Sequence, residues 1–278
     1  MNPEVHSPDL EISNEDLVKR ILSSRQYRAL GIPVSTVRDL VTQAQQRHSE
    51  KKEVEKTVKQ KMHNLVAPYL EDVDYAKSAD QLTQAFATGS DELIRQTCIQ
   101  LLLKHASTRE RLPILSHFYE TIFSEIGLPG TILDLACGLN PLALPWMGLP
   151  KDVRYYAYDI IQPRIQLINH FFKCYGIPEL AETRDILVNP PSVQADAAFF
   201  FKEAHRLEQR QKGSNRAFWI NIPARVLLVS LPTTNLSGSH SKLDQHRRLV
   251  YATIAGLDWK VKELIFENEI VFVIRKAQ

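Results

Sequence analysis

In the first third of the chain, apolar residues recur at helical spacing. Leu17, Ile21 and Leu22 mark one helix, capped by Ser13 or Asn14. Val37, Leu40 and Val41 mark a second, capped by Ser35 or Thr36. Val54, Val58, Met62 and Leu65 follow at steps of four, four and three, which predicts a third helix from Glu50 to Leu65 with one apolar face. A fourth covers Ala79 to His105, with Leu82, Phe86, Leu93, Cys98 and Leu101 to Leu103 apolar. From Leu128 onward the pattern changes, and short apolar runs alternate with stretches long enough for helices. Thr131–Ala136, Arg154–Asp159, Ala197–Phe201 and Val226–Ser230 read as buried strands, and a further strand should end at Asp185. Such alternation predicts a parallel sheet with helices on both faces. The chain finishes differently. Val261–Phe266 and Ile270–Ile274 are β-rich runs separated by Glu267, Asn268 and Glu269, which predicts an antiparallel hairpin.

Composition narrows the class. The 278 residues are 44% hydrophobic with a net charge of +2, so disorder is excluded as the main state and net charge alone names no partner. Only 10 glycines are present, which favours a helix-rich chain. Three cysteines, Cys98, Cys137 and Cys174, make an odd, sparse set suited to a reducing cytosol, so a cytoplasmic protein is expected. No apolar run is long enough to span a membrane, and the polar, acidic stretch from Met1 to Asp16 argues against a secretory signal.

Three acids or turns at strand ends carry the candidate chemistry. Asp134-Leu-Ala-Cys-Gly138 closes the first predicted strand, where a glycine lets the backbone approach a ligand in an open α/β sheet. One glycine is not a dinucleotide fingerprint, and no Gly-Lys-Ser/Thr follows, so a pyrophosphate site is disfavoured. An ordinary turn explains this segment equally well. Asp159 ends the second strand, where an acid accepts hydrogen bonds from ribose hydroxyls or caps the next helix. Asp185 is placed to take an adenine amino group. Together they outline one nucleoside-shaped cleft. His105 to Leu112 precedes the sheet; Ser107 or Thr108 caps a helix there, or Arg111 offers a guanidinium fork to a carboxylate. A parallel sheet finished by an antiparallel pair is the topology of class I S-adenosylmethionine methyltransferases, although fold alone does not give function.

The chain resembles the Arm/Rmt family of aminoglycoside-resistance 16S ribosomal RNA methyltransferases. The matching segments are Ile21 to Leu30 (ILSSRQYRAL), His105 to Leu112 (HASTRERL), Asp134 to Leu144 (DLACGLNPLAL), Asp185-Ile-Leu, Phe201-Lys202, Leu207-Glu208, Ser230-Leu-Pro232 with Leu236-Ser-Gly238, and Asn268-Glu269. They keep the family order over nearly the whole chain. The resemblance implies a helical domain over residues 1–104 that docks on the 30S subunit, and a Rossmann-like methyltransferase domain over residues 105–278. It implies S-adenosylmethionine as cofactor and methylation of guanine N7 in the decoding A site, nucleotide 1405 in the conventional numbering, by a monomer needing no metal and no membrane. It further implies that Tyr69, His105, Ala106, Ser107, Arg111, Gly138, Asp159, Asp185, Ile186, Phe201 and Gln209 line the cofactor cleft.

Departures fall on the target side. Family members carry Gly-Arg-x-x-Gly-Met after the fifth strand, where this chain has Gly238-Ser-His-Ser-Lys-Leu243. Ser239 replaces the arginine and Leu243 the methionine. The family's Leu-Glu/Asp-Arg is here Leu207-Glu208-Gln209, with Arg210 one place on. Arg210, Lys242 and Arg247 are expected to restore the positive charge toward RNA. Guanine N7 has its own lone pair and the sulfonium methyl is already activated, so no general base is required. Lys202 is read as positioning the base or a phosphate, or as a plain surface lysine. Lys52, Lys56, Lys59 and His63 form one helical stripe, and Lys202, Arg206, Arg210, Lys212, Arg216 and Arg225 cluster against only Glu203 and Glu208. Both sets suit phosphate binding, or else are solvated faces. Two other functions stay open: a methyltransferase acting on another nucleotide or RNA, and a non-catalytic RNA-binding relative.

Overall fold

The computed structural model describes residues 8–67, 73–233 and 242–277. Helices α1 (Pro8–Ser23), α2 (Val34–Gln45) and α3 (Lys51–Val66) form a layer around Val18, Ile21, Val37, Leu40, Val41, Val58 and Met62. Their apolar faces follow the predicted spacing, but their starts do not. Helix α1 begins at Pro8, so Ser13 and Asn14 lie inside it, and the Asn14 amide bonds the Gln45 side chain instead. Pro33 occupies the cap of α2 and fixes the entry backbone, which places Ser35 and Thr36 in the first turn.

The single helix expected over Ala79 to His105 is two, α4 (Tyr75–Ala87) and α5 (Asp91–Leu102). Gly89 breaks them in a left-handed conformation, and Ser90 accepts a hydrogen bond from the Leu93 amide to cap α5. Both helices share a core with α7 (Leu115–Ile126) and α8 (Gln162–Tyr175), joining Leu82, Cys98 and Leu101 to Phe118, Ile122, Phe171 and Phe172. Helices α1–α3 thus keep an apolar cluster of their own, while α4 and α5 share theirs with α7 and α8. The reason is that α4 and α5 bury their apolar faces on the sheet layer rather than on α1–α3.

Seven strands form one sheet: β1 (Thr131–Leu135), β2 (Arg154–Asp159), β3 (Ala181–Thr183), β4 (Ala195–Phe201), β5 (Ala224–Pro232), β6 (Lys260–Ile265) and β7 (Glu269–Arg275). Their order is β3-β2-β1-β4-β5-β7-β6. Strands β1 to β5 pair in parallel, and β7 runs antiparallel between β5 and β6. Alternation sends Phe199 and Phe201 of β4 toward α7 and α8, and Ala198 and Phe200 toward α10 (Ser214–Asn221) and α11 (Leu243–Ile254). This is the Rossmann-like class I methyltransferase architecture with an antiparallel final pair and a helical N-terminal layer. Strand β3 stops at Thr183, two residues short of Asp185. No described helix is long and apolar enough to cross a membrane.

Candidate active site

A cavity of about 590 Å3 opens at the carboxyl ends of β1, β2 and β4, the position where open α/β sheets bind ligands. Two non-glycine residues there, Ala136 after β1 and Lys202 after β4, have φ of 54° and 59°. Left-handed backbone costs such residues about 1–2 kcal/mol, so the surrounding contacts must hold it. Gly138 lies on the same rim. A Cβ at Gly138 would stand 2.6 Å from Cε1 of His105, so only glycine lets the strand-end turn approach this ring. Burial, then Arg164 and Arg206, push the His105 imidazole well below its usual range, which keeps it neutral.

Both strand-end acids line the cavity already ion-paired. Asp159 accepts from the Gly138 and Ile161 amides at 3.1 and 3.0 Å, and from Arg164 Nη1 at 2.9 Å. Asp185 accepts from Arg210 Nη1 and Nη2 at 3.0 and 2.8 Å and from the Leu187 amide at 3.1 Å. Arg164 gave a signal in the sequence, a charged residue amid the apolar positions of α8, and its role was missed. Arg210 corrects an expectation. Its side chain is only 11% exposed and its Nη2 also reaches Asp39 of α2 at 3.3 Å, so it joins the helical layer to Asp185 instead of facing RNA.

Arg111 is also placed otherwise than expected. Its guanidinium does not line the cavity. It donates to Glu269 through Nε and Nη2, at 3.1 and 2.5 Å, and to Asn140 Oδ1 at 2.6 Å. The rings of Phe118 and Phe201 lie 4.4 and 4.6 Å from its Cζ. The network continues from Asn140 to Tyr119 and Asp134, and from Asp134 to Tyr155. Burial raises Asp134 to about 7 against the bonds from Asn140 and Tyr155. Glu269 begins β7, so the last hairpin supplies the counter-charge. Burial favours its neutral form, but Arg111 and Lys202 outweigh that and hold the carboxyl below the usual range. Asn268, beside it, donates to the Glu110 carbonyl of α6 (Ala106–Arg111). Thr108 does not cap α6, because its hydroxyl donates to the Leu102 and His105 carbonyls.

Lys202 is buried, with Nζ 2.7 Å from Glu110, 3.3 Å from the Ser107 carbonyl and 3.4 Å from Glu269. An ammonium has three protons, and three internal acceptors surround this one. It is no surface lysine: it lines the cavity and locks β4 to α6 and β7. His105, Ser107, Gly138, Asp159, Asp185, Ile186, Phe201 and Gln209 all line the cavity, whereas Ala106 does not, and Tyr69 lies outside the described residues. Ser239 and its loop also lie outside them. Lys242 lines the cavity mouth, but Arg247 pairs with Glu263 on β6 at 2.7 Å, away from it.

The basic residues divide in the same way. Of the second cluster, Lys202, Arg210 and Arg216 close internal contacts, Arg216 on the Thr253 and Ala255 carbonyls, whereas Lys212 is exposed and Arg225 is 68% exposed beside Asp196. Lys56 and Lys59 on α3 are 76% and 55% exposed, each beside a glutamate of the same helix. Lys52, Lys56, Lys59 and His63 rim a shallow depression with Arg25 and Gln26. The carboxyl end of α3 reaches further: Lys61, His63, Asn64 and Leu65 line the main cavity, so this helix carries both the stripe and one wall of the cleft. Among the described residues no group of three or more His, Cys, Asp and Glu is placed to hold a metal ion.

The chain matches the ribosomal RNA methyltransferase (FmrO) family over residues 23–273. It is 30% identical to a 16S rRNA (guanine(1405)-N(7))-methyltransferase of Micromonospora echinospora, covering 94% of this chain and 96% of that one. Two solved structures are similar over 95% of this chain and 98% of theirs. The 16S rRNA methylase RmtB has a TM-score of 0.76 at 27% identity. The 16S rRNA methyltransferase RmtF in complex with S-adenosyl-L-homocysteine has a TM-score of 0.77 at 25% identity.

Proposed function

The chain belongs to the ribosomal RNA methyltransferase (FmrO) family, and on that premise we propose that it methylates N7 of guanine 1405 in the 16S rRNA of the 30S subunit, using S-adenosylmethionine and conferring aminoglycoside resistance. The observation that carries the reading is the single cavity that gathers Gly138, Asp159, Asp185 and Phe201 at adjoining strand ends. Its volume suits a nucleoside cofactor. The relative from Micromonospora echinospora is named for that nucleotide, and RmtF binds the demethylated cofactor product.

When bound, the sulfonium supplies an activated methyl group that needs no proton transfer. The chain's own residues bind, orient and exclude water. Asp159 and Asp185, paired with Arg164 and Arg210, present carboxylate oxygens as acceptors for ribose hydroxyls and for an adenine amino group. Gly138 gives backbone access beside the neutral His105 ring. Arg111 and Glu269 act one layer back and Lys202 joins them to the cavity wall, fixing the strand ends that define the cleft. Positioning of this kind is worth roughly 7–11 kcal/mol of the barrier, against a few kcal/mol for extracting the base from its stack. The exposed stripe of α3 supplies phosphate contacts, and the same helix then leads to the cleft.

Methyl transfer from labelled S-adenosylmethionine tests the reading. Incorporation into purified 30S subunits, with little into protein-free 16S rRNA, is expected. Binding of the cofactor without transfer to any RNA would favour a non-catalytic relative.

A further inference from the structure

We infer that His205, backed by His246, contacts the edge of the target base and donates a hydrogen bond to guanine O6; the inference rests on the guanine-N7 reading above. His205 stands on the first turn of α9 (Ala204–Arg210), three residues beyond Lys202, and lines the cavity. Its Nδ1 is buried with no hydrogen-bond partner among the described residues. From α11, His246 brings its ring centroid to 6.1 Å from that of His205. His246 is 3% exposed, and both its ring nitrogens are buried without a partner among the described residues. Buried side-chain nitrogens seldom go unbonded, and here three lie together, His205 on the cavity wall and His246 packed behind it, so a polar group from outside the chain belongs at this wall.

Two of the cavity's cations are already engaged by the chain. Lys202 is held by Glu110, Glu269 and a carbonyl, and Arg210 by Asp185 and Asp39. The chemistry also favours an uncharged donor. Guanine presents N7 and O6 side by side on one edge, and N7 must keep its lone pair for the methyl, which leaves O6 as the acceptor to grip. The base becomes cationic as the bond to carbon forms, so a lysine or arginine at O6 would oppose the reaction. Burial first, then His246, Arg206 and Lys242, push His205 down to about 4, and burial and Lys242 lower His246, so both rings are neutral near pH 7. A neutral imidazole offers one donor and one acceptor.

Steady-state methylation of 30S subunits by His205→Leu, His205→Gln and His246→Leu tests this. His205→Leu should lower kcat about tenfold, with KM for 30S and the cofactor Kd within about twofold of wild type. His205→Gln keeps a side-chain N–H and should recover most of the rate, while His246→Leu should lose less than His205→Leu. Wild-type kcat in His205→Leu would overturn the inference. So would a loss that His205→Gln fails to rescue and that raises the cofactor Kd in parallel, because that pattern marks a structural role. Wild-type methylation mapped to a base other than guanine would sink the functional reading and the O6 contact together. Guanine-N7 methylation that is indifferent to His205 would sink the inference alone.

Discussion

Replacing Glu269 by glutamine leaves two cations in a dry site. Glu269 is fully buried and receives two hydrogen bonds from Arg111, itself 3% exposed at the side chain, while the Lys202 ammonium lies 3.4 Å away. Phe118 and Phe201 lie against the Arg111 guanidinium, closing it from water. Glutamine keeps the shape and one acceptor oxygen but removes the charge. Breaking a buried ion pair from one side costs about 3–5 kcal/mol. Lys202 retains Glu110 and Arg111 retains Asn140, which argues for the lower half of that range. Equilibrium urea unfolding of the purified protein measures the loss, and a thermal midpoint should fall by roughly 2–4 °C per kcal/mol. The double variant Arg111→Met, Glu269→Leu removes both charges and should be more stable than Glu269→Gln alone. A loss below about 1 kcal/mol in Glu269→Gln would mean that Arg111 finds solvent or another anion and that the pair is not closed from water.

Other outcomes follow from the same contacts. Arg210→Ala should weaken cofactor binding about tenfold by calorimetry, because it strips Asp185 of its bidentate partner; unchanged affinity would leave Arg210 as only a tie to Asp39. Reversing Lys52, Lys56 and Lys59 to Glu should weaken 30S binding and flatten its salt dependence by up to about 0.9 per lost phosphate contact, with cofactor binding intact; an unaltered salt slope would make the stripe a solvated face. Acid should destabilise the fold through His205 and His246, whose folded values are depressed. The unfolded chain takes up protons from about pH 6.5 downward, whereas His205 in the folded chain does so only near 4. Their contribution is complete above about pH 6.5 and is lost as pH falls through that window, so His205→Asn should flatten the slope of unfolding free energy between pH 6.5 and 4.

Periodicity made the architecture legible, because each sheet strand and each amphipathic helix repeats at its own spacing. Helix starts were less legible, since Pro33 and Gly89 act through backbone geometry that hydrophobic pattern does not encode. Strand-end acids were found because topology dictates where ligands sit. Their partners were not, because Arg164 lies five residues, and Arg210 twenty-five residues, from the acid each neutralises. Lys202 shows the same limit. A lysine after a strand reads as a substrate contact, and only the fold reveals that Glu110 and Glu269, from distant segments, surround it. Charge counting overestimated the basic cluster from Lys202 to Arg225, because several of those side chains close carbonyls and carboxylates within the chain.

The proposed reaction places one methyl group on one ring nitrogen of one base. Purified 30S subunits are incubated with the protein and S-adenosylmethionine, the rRNA is treated with borohydride and aniline, and primer extension is run across the decoding site. N7-methylguanine becomes a cleavage point under that treatment, and unmethylated guanine does not. A single new stop at guanine 1405, dependent on both protein and cofactor, is expected. Methyl incorporation with no aniline-sensitive site, or a stop at any other nucleotide, would contradict the proposed reaction.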